Sequence, residues 1–189
     1  MTEREFLIDS LRRLNRIEIA YMLTGSMASN HWGIPRTTHD LDFVIQLPSA
    51  VVPKLVDEFK GDFLVDREIV ERIYRPPHHF NAIDQRSFLK LDFWLLKPEP
   101  FDRSMFDRRI RVSYFGEPAW IVTAEDIILQ KLFWDKMGPS NQQLNDVAGV
   151  IAVQAGTLDL DYLRHWAAEL RVRSKLEDVL AGRIKPKAT

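Results

Sequence analysis

The chain has 189 residues, of which 46% are apolar and 28% charged, enough for one domain with a real core and an ordinary soluble surface. Its net charge of −1 argues against indiscriminate binding to nucleic acid. With no cysteine, it excludes disulfides, thiolate metal sites and cysteine nucleophiles, and fits a reducing cytoplasm.

The amino terminus, Met1-Thr2-Glu3-Arg4-Glu5, is charged and leads into an amphipathic pattern, unlike a signal peptide. No apolar run approaches the roughly 20 residues that cross a bilayer, so no membrane partner is expected. Residues 3–15 read as a helix, with Phe6, Leu7, Leu11 and Leu14 in one stripe. An apolar strand over Ala20–Leu23 follows, and Thr24-Gly25-Ser26 turns into a short helix over Met27–Trp32 that stops at Gly33. The next strand is expected over Leu41–Gln46. Pro48 and Ser49 start a helix through Phe59, ended by Gly61, and a shorter helix is expected over 66–74. Pro76-Pro77 enforces an extended turn. His79–Ile83 and Phe88–Leu96 read as a hairpin around Asp84-Gln85-Arg86. A helix near Phe101–Arg108 precedes strands Ile110–Tyr114 and Ala119–Val122. From Thr123 the pattern is helical: Ala124–Lys136, Asn141–Gln154, Asp161–Leu170 and Ser174–Ala181, with a tail at Lys185-Pro186-Lys187 that is expected to fray. The reading is an α+β fold with an α/β core, divided as 1–122 for the core and 123–189 for a helical segment.

Asp40-Leu41-Asp42-Phe43 carries the chemistry. Strand side chains alternate between faces, so Asp40 and Asp42 share one, roughly 6.5 Å apart, while Leu41, Phe43, Ile45 and Leu47 face a core. Aspartate is depleted in strands, so two on one face need a reason. Asp159-Leu160-Asp161 has the same spacing, but it opens an amphipathic helix, where aspartate caps exposed N–H groups. In Lys90-Leu91-Asp92-Phe93-Trp94, parity puts Lys90, Asp92 and Trp94 on one face. If this strand pairs about 4.8 Å from the first, Asp92 completes a trio of carboxylates. Such a trio can hold two Mg²⁺ or Mn²⁺ ions about 4 Å apart, which activate an attacking oxygen and neutralise a leaving phosphate. The plainer alternative for Asp92 is an edge-strand charge paired with Lys90.

Gly25-Ser26 followed by Asp40-Leu41-Asp42 and a lone acid in a later strand resembles the nucleotidyltransferase fold shared with polymerase β. Gly25-Ser26-Met27-Ala28 and Arg36-Thr37-Thr38-His39-Asp40-Leu41-Asp42 are similar to the small bacterial branch that includes AbiEii-type abortive-infection toxins. The likeness follows the element order over roughly residues 5–170. It implies a nucleotidyltransferase-like mixed sheet flanked by helices and a nucleoside triphosphate as substrate. Asp40, Asp42 and Asp92 become metal-binding and catalytic, and the acceptor becomes tRNA or a protein hydroxyl, with an antitoxin as partner; a small-molecule acceptor such as an antibiotic stays open. Gly25-Ser26 fits a phosphate site, since a helix amino terminus presents unpaired N–H groups and glycine admits a close approach, although the same dipeptide also serves as a plain turn and cap. Arg36 and Lys131 are candidate nucleotide contacts; Lys131 could instead snorkel or pair with Asp135. Relatives commonly carry an arginine where Gln142 stands, four residues before Asp146, an aspartate more often structural than catalytic.

His78-His79 lacks the partners of a zinc site, and His39 faces away from the aspartates by parity. Arg67, Arg72, Arg75, Arg103, Arg108, Arg109 and Arg111 could line a groove for RNA or form a solvated face. The rival to an enzyme is an inactive nucleotide- or partner-binding module of the same fold.

Overall fold

A capping box opens the chain. Thr2 Oγ1 accepts from the Glu5 amide while the Glu5 carboxylate accepts from the Thr2 amide, which starts α1 (Glu3–Ile17). The computed structural model describes residues 1–186; of the tail expected to fray, Lys187 lies outside the described residues. Phe6, Leu7, Leu11, Leu14 and Ile17 make the buried stripe of α1, and Glu18, in the left-handed region, ends it.

By contacts the chain divides into two units. Met1–Thr24 and Thr38–Ile121 form the first, and Gly25–Thr37 groups with everything from Val122 onward in the second. Residues 25–37 thus join the carboxy-terminal helices, not the strands that flank them in sequence.

The first unit holds a seven-stranded mixed sheet. Its strands are β1 (Ala20–Thr24), β2 (Asp40–Gln46), β3 (Phe63–Leu64), β4 (His79–Asp84), β5 (Lys90–Leu95), β6 (Ile110–Tyr114) and β7 (Glu117–Ile121), in the order β3-β4-β5-β2-β1-β7-β6. β2 runs parallel to β5 and β1 parallel to β7; the other pairings are antiparallel. α3 (Val52–Phe59) is entered through a 3₁₀ turn at Ser49–Val51, and α4 (Arg67–Glu71) runs on into a 3₁₀ turn at Arg72–Tyr74. α5 (Pro100–Asp107) completes the unit.

The alternation in β2 and β5 builds the core. Leu41, Phe43, Ile45, Leu91 and Phe93 are buried, and Phe43 stacks on Phe93 at 5.9 Å where the two are register partners. Phe59, Phe63 and Phe80 extend the aromatic cluster. Each fully buried phenylalanine contributes about 2–3 kcal/mol relative to an exposed one. The β4–β5 hairpin is pinned by Asp84, which is fully enclosed and accepts from the Ser87 amide, the Ser87 hydroxyl and Arg86 Nε. Burial would raise its pKa; the Ser87 and Arg86 donors outweigh that and hold it below the ordinary carboxylate value.

The second unit contains α2 (Gly25–Trp32), α6 (Ala124–Met137), α7 (Asn141–Val153), α8 (Leu160–Glu169) and α9 (Arg173–Leu180). α6 is buried on most of its circumference: Ile127, Ile128, Leu129 and Leu132 are enclosed, and so are Asp126, Gln130, Lys131 and Asp135. Thr123 caps α6 by accepting from the Asp126 amide, and Asp159 caps α8 by accepting from the Tyr162 amide, so the second Asp-Leu-Asp is a helix start. After α2 the chain passes close to α7. A Cβ on Gly33 would lie 2.7 Å from the Val150 amide nitrogen, so glycine is required there. No helix among the described residues is long and apolar enough to cross a membrane.

Candidate functional site

In the first unit, the parallel pairing of β2 with β5 sets Asp42 directly opposite Asp92 and Asp40 opposite Lys90. In-register side chains on neighbouring strands share a face, with backbones about 4.8 Å apart. Like charges placed so are destabilising unless a cation comes between. Lys90 brings a cation to this face: its Nζ lies 2.9 Å from Asp92 Oδ2 and 3.8 Å from Asp40 Oδ1. The hydrogen bond to Asp92 is the largest influence on this lysine; with the charges of Asp92, Asp40 and Asp42 it outweighs partial burial and raises its pKa. β5 is an inner strand, between β4 and β2, so Asp92 is not an edge charge, although its pairing with Lys90 is formed.

His79 reaches the same carboxylate from β4, its Nε2 standing 3.1 Å from Asp92 Oδ1. The imidazole lies against Trp94, ring centroids 4.2 Å apart. Asp92, buried with a side chain 10% exposed, therefore has both oxygens engaged, one by Lys90 and one by His79. The sequence marks His79 only as the first residue of a hairpin strand, because its link to Asp92 depends on the β4–β5 register. Trp94 Nε1 is a buried donor with no hydrogen-bond partner among the described residues, on the face that carries Asp92. His39 is exposed and pairs with Glu3, apart from this cluster.

Among the described residues, no three His, Asp or Glu side chains are placed so as to hold a metal ion. The donor set nevertheless suits a hard dication. Asp40, Asp42 and Asp92 offer only oxygen, adjacent strands fix their backbones, and a cation, the Lys90 ammonium, already bridges two of them.

A different carboxylate organises the second unit. Asp146 on α7 accepts from Arg36 Nε at 2.9 Å and Arg36 Nη2 at 3.0 Å, from Lys131 Nζ at 2.8 Å and from Gln142 Nε2 at 2.9 Å. Burial would raise its pKa; hydrogen bonds and charge from Arg36 and Lys131 overcome that and hold it below the ordinary value. Gln142 thus braces Asp146 from one turn back, and the guanidinium on this aspartate comes from Arg36. Lys131 is 2% exposed and also donates to Gln143 Oε1 at 3.0 Å. Arg36 Nη2 donates to Ser26 Oγ at 2.7 Å, so the guanidinium reaches the first turn of α2. Gly25 begins that helix with φ +64°, a left-handed conformation natural to glycine.

Of the predicted site residues, the first unit sets Asp42 opposite Asp92 in register, with Asp40 two residues along the same strand. The second links Ser26, Arg36 and Lys131 through Asp146, with Gly25 beside Ser26. Of the seven arginines that could line a groove or form a solvated face, three lie among acids. Arg67 is bonded to Glu71, and Arg72 and Arg75 line a surface cavity together with Glu68 and Glu71.

No family model and no curated protein sequence matches the chain. Solved structures do. The fold is similar to that of an antigenic nucleotidyltransferase-like protein from Paracoccidioides brasiliensis, at 17% identity and TM-score 0.58 over 98% of this chain and 94% of that one. It is also similar to the antibiotic-resistance factor ANT(2'')-Ia, at 11% identity and TM-score 0.60 over 96% and 97% of the two chains. A third likeness is to the lincosamide antibiotic adenylyltransferase LnuA, at 11% identity and TM-score 0.55 over 81% and 98%. The mixed sheet and its helices therefore have the nucleotidyltransferase-like fold.

Proposed function

We propose that this protein moves a nucleoside monophosphate from a nucleoside triphosphate onto an acceptor hydroxyl. The observation that carries the reading is the β2–β5 register, which sets Asp42 beside Asp92 with Asp40 one pleat away, within a nucleotidyltransferase-like fold. In this reading Asp40, Asp42 and Asp92 hold magnesium or manganese, which when bound supplies charge neutralisation at phosphate and activation of an attacking oxygen.

The chain's own residues do the rest. Gly25 and Ser26 open α2, and the first N–H groups of a helix suit a polyphosphate. Ser26 accepts from Arg36 and keeps its own O–H to donate to a phosphate oxygen. Arg36 adds positive charge there, and Asp146 fixes its orientation. Lys131 serves from behind, as the buried counter-charge of Asp146. Asp92 takes the proton of the acceptor hydroxyl. The hydroxyl oxygen attacks the α-phosphorus, the bond from that phosphorus to its bridging oxygen breaks, and pyrophosphate leaves with the electron pair.

Two sources suggest acceptors. The Gly25–Ala28 and Arg36–Asp42 spellings, similar to abortive-infection toxins, favour tRNA or a protein hydroxyl and an antitoxin partner. The structural neighbours favour an antibiotic: one ANT(2'')-Ia structure contains adenylyl-2''-tobramycin, and LnuA was solved with lincomycin bound. A single assay separates them. The purified protein is incubated with each α-labelled nucleoside triphosphate and Mg²⁺ or Mn²⁺, and offered total tRNA, protein extract, tobramycin or lincomycin. Label is expected on one acceptor class, with at least about a hundredfold loss in Asp42→Ala. Transfer unaffected by Asp42→Ala would overturn the reading.

One observation favours a second reading, a nucleotide- or partner-binding module without turnover: Lys90 and His79 together engage both oxygens of Asp92. That reading expects nucleotide and metal to raise the melting temperature while no acceptor is labelled.

A further inference from the structure

Lys90 stands among the carboxylates that the proposed function assigns to metal. Its backbone is opposite Asp40 in the register, two residues before Asp92 on the same face, and its ammonium bridges these two carboxylates at 3.8 and 2.9 Å. Asp42 and Asp92 are direct cross-strand neighbours of like charge, and Lys90 brings positive charge to Asp92. The side chain is 35% exposed, so a long flexible stem carries the charge and can swing into solvent without disturbing the sheet. His79 differs: it is 20% exposed and held against Trp94, and it fastens the other oxygen of Asp92.

We propose that Lys90 is a tethered cation that neutralises the carboxylate site when no metal is bound and must leave Asp92 for a divalent ion to bind there. The inference rests on the metal-site reading above and adds a device to it. A strand ammonium and a divalent ion compete for the same oxygens, so the site binds metal weakly until something draws Lys90 away. An incoming polyphosphate is suited to do so, because its negative charge offers the ammonium another partner as it brings the metal in. Metal alone would bind poorly, and metal with nucleotide well.

Manganese binding to the full-length protein, followed by the loss of the free Mn²⁺ paramagnetic resonance signal and without nucleotide, tests this directly. Lys90→Met removes the competing charge and keeps the stem, and is expected to bind Mn²⁺ about tenfold more tightly than the wild type. Lys90→Arg retains a cation and is expected to stay within about threefold of the wild type. Adding Asp92→Asn to Lys90→Met is expected to abolish the gain, which assigns the ion to this carboxylate. Lys90→Gln provides the same charge removal should the methionine variant fold poorly, as judged by circular dichroism. Equal or weaker Mn²⁺ binding after charge removal overturns the proposal, and so does a gain that survives Asp92→Asn. Label transfer is measured separately. Wild-type transfer with unchanged affinity in Lys90→Met defeats the tethered cation and leaves the enzyme standing; tighter binding with no transfer to any acceptor does the reverse. Absence of Mn²⁺ binding in every variant defeats the tethered cation, and absence of label transfer as well defeats both.

Discussion

Asp92 and Asp146 are both buried carboxylates bonded to a lysine, yet the two lysines differ sharply in exposure. Asp146 lies among donors from three stretches of chain, Arg36, Lys131 and Gln142, and of its two cations Arg36 is 31% exposed but Lys131 only 2%. Lys131 cannot leave without stranding a charge in a low-dielectric interior. Asp92 is held by Lys90, whose side chain is 35% exposed, and by His79. There the cation can withdraw to water at little cost and leave the carboxylate ready for another partner. A lysine–carboxylate contact is thus a strut in one unit and an exchangeable seal in the other.

The largest effect on folding is expected from removing the strut. Asp146→Ala leaves Lys131 and Arg36 without their shared carboxylate and is expected to cost about 3–5 kcal/mol, read as a lowered urea midpoint and melting temperature. A variant as stable as the wild type would mean that the network is ornamental and the contrast false.

A smaller effect, with a definite sign, comes from pH. Asp146 has its folded-state pKa held below the ordinary value, so the stabilisation it gives is complete above about pH 4 and fades as pH falls through the lower folded value. The gap in unfolding free energy between the wild type and Asp146→Asn should therefore be constant from pH 7 to pH 5 and narrow towards pH 3. A gap that widens on acidification would contradict the assignment of Arg36 and Lys131 as the groups that keep Asp146 ionised. Asp84 is held low by Ser87 and Arg86 and adds to the acid sensitivity of both proteins alike, so it cancels in the difference.

Much of the sheet was legible because its signal is local. β1 announces itself as an apolar run, β2 and the hairpin of β4 and β5 by apolar alternation, and parity alone puts Lys90, Asp92 and Trp94 on one face. β3 was missed because Phe63–Leu64 is too short to show a period; it is fixed by antiparallel pairing with Asp84 and Ile83. α2 begins at Gly25, two residues before the expected start, because glycine tolerates the left-handed entry that another residue would resist. The parallel placement of β7 beside β1 depends on strands far apart in sequence, and so does the grouping of residues 25–37 with the carboxy-terminal helices. No pattern within a short window can report either.

The candidate site divides in the same way. Asp40, Asp42 and Asp92 could be picked out because aspartate on a strand opposes local propensity, and such a conflict points to function. The Lys90–Asp92 pair follows from i, i+2 spacing. His79 could not be found without the β4–β5 register, and the partnership of Arg36 with Asp146 spans 110 positions. The unexpected Gln142 shows how a single position misleads: the guanidinium that meets Asp146 arrives from Arg36, another part of the chain altogether.

A crystal structure with Mn²⁺ and a non-hydrolysable nucleoside triphosphate, recorded at the manganese absorption edge, puts the central claim to the most direct test. The account predicts an anomalous peak within about 2.5 Å of carboxylate oxygens of both Asp42 and Asp92, with the Lys90 ammonium withdrawn from Asp92. Nucleotide bound with Lys90 still seated on Asp92 and no anomalous peak between the strands would contradict it.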